Sequence, residues 1–143
     1  MSAGTAITQM TTGPGVSPGA VVGAPRMWLR AEGVAVFAAG AALYLHLGGA
    51  PIWLVPLLLA VDVSTVGYIA GPRLGALVYN LAHNWAAGLA VLAPAWWLGS
   101  PAIALVGAIL VTHTGIDRAA GYGLKYSTAF ADTHLGRIGR GGR

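Results

Sequence analysis

Four apolar stretches, each close to the roughly 20 residues needed to cross a bilayer core, limit what this chain can become. They run from about Trp28 to Leu47, from Pro51 to Ala70, from about Gly75 to Leu98 and from Pro101 to about Leu124. The links between them, "LGGAP", "GPR" and "GSP", are short and rich in helix breakers, so neighbouring helices must run antiparallel. The fold class expected is all-α, a four-helix transmembrane bundle of up-down topology. Pro56 and Pro94 lie inside their stretches, where each removes a backbone donor and can kink the helix. Charged residues make up only 8% of the chain, against about 25% in a soluble domain, which is too few to cover a water-facing surface. With no cysteine, disulfides, thiolate metal sites and a cysteine nucleophile are excluded.

Three regions follow. Residues 1–26 are nearly free of charge and rich in Gly, Ser, Thr and Pro; they read as a disordered tail without the features of a signal peptide. Residues 27–126 form the four-helix membrane domain, and residues 127–143 a short basic cytoplasmic tail. The basic residues orient the bundle. Arg26 and Arg30 flank the first helix, Arg73 sits in the second link, and Lys125, Arg137, Arg140 and Arg143 follow the fourth helix, while the other two links hold no Lys or Arg. One topology accounts for all seven: both termini cytoplasmic. The net charge of +4 therefore needs no nucleic-acid partner; the lipid bilayer is the expected one.

With that topology the polar residues of all four helices fall in the cytoplasmic half. Ionisable groups at such depth are costly and normally face the bundle interior. His113 and Asp117 are four apart and share a helix face, as do Asn80, His83 and Asn84. The expectation is a pocket open to the cytoplasm and closed on the outside by an apolar plug. Asp62, His83, His113 and Asp117 are its candidate catalytic residues. Glu32, Tyr68, Arg73, Tyr79, Asn80, Arg118, Tyr122 and Lys125 are candidate substrate-binding residues. So are Asp132, His134 and Arg137, in a segment that reads either as a tail lying on headgroups or as a lid over the pocket. Ser64, Thr65, Thr112 and Asn84 read as interhelical glue.

The segments "LRAEG" (29–33), "DVSTVGYIAGPRLGALVYNLAH" (62–83), "HTGIDRAAGYGLKY" (113–126) and "DTHLGRIGR" (132–140) resemble a bacterial membrane family catalogued as domain of unknown function 4260. The resemblance implies a small multi-span membrane protein and brings no activity. The family pattern has Pro before the helix-two Asp, where this chain has Val61. A looser similarity is to membrane-bound metal-dependent hydrolases, whose pattern runs Pro-Asp-x-Asp, then His, then His-x-x-x-Asp. Asp62, His83 and the His113/Asp117 pair keep that order, with Ser64 in place of the second Asp.

Three functions fit these residues. The first is an acid/base enzyme, of cyclase or isomerase type, acting on a lipophilic small molecule with no cofactor; a His–Asp pair supports proton transfer near neutral pH. The second is a divalent-metal-dependent membrane hydrolase, because two His and two Asp make a mixed N/O set suited to Zn, Mn or Fe. The third is non-catalytic: a scaffold, a complex subunit or a proton-coupled carrier, which with four short helices would need a homodimer.

Overall fold

The computed structural model describes Ser17 and residues 19–139. Five α-helices dominate: α1 (Gly23–His46), α2 (Pro51–Val61), α3 (Pro72–Ala82), α4 (Trp85–Leu98) and α5 (Pro101–Ala120). A 3₁₀ segment, Asp62–Ala70, continues α2, and a two-stranded antiparallel hairpin, β1 (Asp132–Thr133) and β2 (Gly136–Arg137), follows α5. The punctuation is local. Proline opens α2, α3 and α5, where its missing N–H costs nothing. Gly99 and Gly121 close α4 and α5 in left-handed conformations.

Three helical stretches, Gly23–His46, Pro51–Ala70 and Pro101–Ala120, are long and apolar enough to cross a membrane. The pair α3 and α4, bent by 46°, adds a fourth if it is one span. Large apolar side chains cover the outside, with Trp96, Trp97 and Ile69 each more than 80% exposed. Such surfaces point to membrane association.

α5 is the central helix. It packs on α1, α4 and α2, and buries Gly107 to Ile109 and Thr112 to Gly115. Glycines allow that proximity. A Cβ on Gly115 would collide with the Phe37 backbone of α1, one on Gly40 with the Thr112 backbone, and one on Gly107 with Leu92 of α4. Beside Gly107, Ala108 and Ile109 of α5 form a buried apolar cluster with Tyr44 of α1, and Leu54, Leu58 and Val61 pack around it.

Two boundaries differ from the sequence reading. The third apolar stretch is not one helix kinked at Pro94, which lies within α4. It breaks at His83–Asn84 because Asn84 serves both flanking helices. Its Oδ1 accepts from Ala87 N at 2.9 Å, starting α4, and its Nδ2 donates to Leu81 O at 3.1 Å, ending α3. The first helix starts at Gly23, inside the region read as a disordered tail. Ser17, Gly19 and Val21 ahead of it all bond to the segment after α5. The rest of that tail, residues 1–16 and 18, lies outside the described residues, as do residues 140–143.

Candidate metal centre

Asp62, His83, His113 and Asp117 converge. Asp62 opens the 3₁₀ segment, His83 sits at the α3–α4 break, and the other two lie one turn apart on α5. Two of the four thus stand where a helix changes character. Irregular backbone at membrane depth is tolerated where protein buries it or a cavity needs it. His83 Nε2 is 3.4 Å from Asp62 Oδ1 and 3.9 Å from Asp117 Oδ2; His113 Nε2 is 3.6 Å and 3.7 Å from the same two oxygens.

The tautomer of a neutral His83 is dictated by its neighbour. Its Nδ1 lies 2.9 Å from Tyr79 O, a carbonyl that can only accept, so Nδ1 carries the proton. Nε2 then presents a lone pair to two carboxylate oxygens. His113 is buried, and neither of its ring nitrogens has a hydrogen-bond partner among the described residues. Lone pairs facing carboxylates repel unless a proton or a cation lies between them.

The spacing suits a cation. Four ligands about 2.1 Å from a zinc ion, at the corners of a tetrahedron, stand about 3.4 Å apart. The four contacts here span 3.4 to 3.9 Å. Ligand atoms of Asp62, His83 and His113 all fall within 4.8 Å of one another, a group of three that does not include Asp117. Tyr79 completes the surroundings: its hydroxyl donates to Asp117 Oδ2 at 2.8 Å, and its ring stacks on His83 at 3.6 Å between centroids. The Asp62 side chain is 48% exposed and forms the open side.

Comparison with known proteins bears on what surrounds this centre. The model of the family described as domain of unknown function 4260 matches residues 26–138. The chain belongs to this family. No curated protein and no solved structure matches the chain. The family description carries no activity, so the chemistry of this domain of unknown function must be read from its residues.

Several predicted site residues of the domain stand elsewhere. Glu32 does not line the pocket; it is exposed on α1, whose inward face is set by Gly33 and Gly40 against α5. Asn80 turns away from His83 to bind the Lys125 backbone, its Nδ2 donating to Lys125 O at 2.9 Å and its Oδ1 accepting from Lys125 N at 2.7 Å. Arg73 and Tyr122 are exposed. Arg118 is buried and holds the break in place, donating to His83 O at 3.2 Å and to Tyr122 O at 2.9 Å. Tyr68 packs edge-on against Phe130.

The segment after α5 is a folded cap. Asp132 is buried and accepts from Arg137 Nη1 at 2.7 Å, Thr128 Oγ1 at 2.7 Å and Ser17 Oγ at 3.4 Å. His134 Nδ1 accepts from Leu124 N at 2.8 Å, and burial together with the Arg118 charge holds its pKa below the usual value. Lys125 is buried; its Nζ donates to Phe130 O at 2.8 Å and lies 3.9 Å from the Phe130 ring centroid. Burial, only partly opposed by the Asp117 and Asp62 charges, lowers its pKa to about 8. Asp132 and His134 thus hold the cap together, an arrangement of long-range bonds with no periodic signal in the sequence.

Proposed function

We propose that this protein is a four-span membrane protein with both termini cytoplasmic, in which Asp62, His83, His113 and Asp117 bind one divalent ion of the zinc, manganese or iron type. The ion would serve a hydrolase acting on the polar head of an amphipathic substrate. The observation that carries the proposal is the pair of histidine Nε2 atoms that face Asp62 Oδ1 at 3.4 and 3.6 Å, close to the edge of a metal tetrahedron, with Asp117 Oδ2 at 3.7 and 3.9 Å beside them. When bound, such an ion supplies Lewis acidity and a lowered pKa for a coordinated water.

The chain's own groups do the rest. Tyr79 O orients the His83 ring, Tyr79 OH fixes Asp117, and Arg118 braces the break through His83 O. Half-exposed Asp62 is the side from which substrate approaches. An apolar groove of about 260 Å³ between α2 and α5, with Val61, the residue before Asp62, in its lining, suits a hydrocarbon tail. The distribution of Lys and Arg among the links supports the orientation.

The acid/base reading retains one supporting contact: a protonated His83 could donate to Asp62 Oδ1 at 3.4 Å. Elemental analysis of detergent-purified protein, prepared without chelator, separates the two. The metal reading expects about one equivalent of a transition metal per chain, lost in the double variant His83→Ala/His113→Ala. A folded, metal-free wild type after incubation with Zn, Mn and Fe would overturn it.

A further inference from the structure

A second cleft, of about 410 Å³, lies where α1 begins, α5 ends and β2 passes. Arg26, Gly121, Tyr122 and Arg137 line it; among the described residues no carboxylate and no member of the His/Asp cluster does. Arg26 Nε is buried and has no hydrogen-bond partner among the described residues. The Arg26 guanidinium packs beside Gly121 and Gly136 at this cleft, and an anion that drew the fork to itself would relieve the cost of the unbonded N–H. Arg137 uses Nη1 on Asp132 and stays 47% exposed. Arg30, at the rim, spends only Nε, on Ala119 O at 2.9 Å. Gly121 lies beside both Arg26 and Arg30, where a Cβ would sit 3.8 Å and 3.9 Å from their nitrogens, and its missing side chain leaves the cleft clear between them.

We propose that this cleft binds a phosphate group. Arginine forks match phosphate oxygens two at a time, and a tetrahedral anion can face several guanidinium groups at once. The site lies at the ends of two apolar helices, where the phosphodiester of a lipid headgroup or a soluble phosphate could each reach it. The inference is independent of whether the His/Asp cluster binds a metal.

The test uses the full chain in detergent. Native mass spectrometry compares retention of phosphatidylglycerol with that of diacylglycerol, and melting temperature is compared in inorganic phosphate and in chloride at equal ionic strength. Wild type is expected to hold phosphatidylglycerol several-fold better than diacylglycerol, or to gain stability in phosphate; the first outcome assigns a lipid headgroup and the second a soluble ligand. Arg26→Gln should abolish whichever effect is seen, Arg26→Lys should keep part of it, and Arg73→Gln, at an exposed arginine outside the cleft, should leave it intact. Neither effect in wild type, or equal losses in the Arg26 and Arg73 variants, would overturn the proposal.

Discussion

Asn80 and Lys125 bind each other twice, side-chain amide to backbone, across 45 positions of sequence. The pair ties the cap after α5 to α3, one residue beyond Tyr79, which touches both His83 and Asp117. Cutting it should release the cap while leaving the helices assembled. Asn80→Ala is expected to cost about 1–3 kcal/mol, the range for orphaning partly buried backbone groups. Limited proteolysis should show faster cleavage after Leu124 than in wild type; an unchanged cleavage rate would contradict the role given to this pair.

Tyr79→Phe removes the hydroxyl that holds Asp117 Oδ2 but keeps the ring on His83. If the cluster binds a metal, affinity should fall by roughly 10–100-fold, the usual effect of losing a group that orients a ligand. Chelator competition measures it. A fall in melting temperature with unchanged affinity would instead make Tyr79 a packing residue.

Gly115→Ala should destabilise the protein well beyond the ordinary effect of one methyl group. The added Cβ has no space against the Phe37 backbone, so α1 must move off α5. Overpacking of this kind costs about 1–3 kcal/mol. The readout is melting temperature in detergent.

Lys125 imposes a pH dependence of definite sign. Its folded pKa is lowered from 10.5 to about 8, so between those values the unfolded chain holds the proton more often than the folded one. Stability should therefore rise as pH goes from about 8 towards 10.5, with the full penalty of the buried charge present below that window. Melting curves across this range test it, and Lys125→Met should flatten the rise.

The helices long and apolar enough to cross a membrane and the His/Asp constellation could be read in the sequence because each rests on a local rule. Apolar length reports spans, and ionisable residues inside such spans must find company. His113 and Asp117 even declare a shared face by their spacing. The breaks were hidden for the opposite reason. Asn84 looks like any polar residue in an apolar run, and its double capping role depends on where Leu81 O and Ala87 N end up. The 3₁₀ segment beginning at Asp62 carries no sequence mark of its own. The cap was illegible because strands of two residues have no period, and Asp132 meets Ser17 across 115 positions.

The bond from Val21 N to His134 O has a consequence for how the molecule is made. Its acceptor is synthesised 113 residues after its donor. The helices, three of them long and apolar enough to cross a membrane, can form one after another as they leave the ribosome. The cap cannot close, and Lys125 cannot find its aromatic shelter, until translation is nearly over. A truncated chain lacking the last ten described residues would keep every helix yet never finish the cap that joins its two ends.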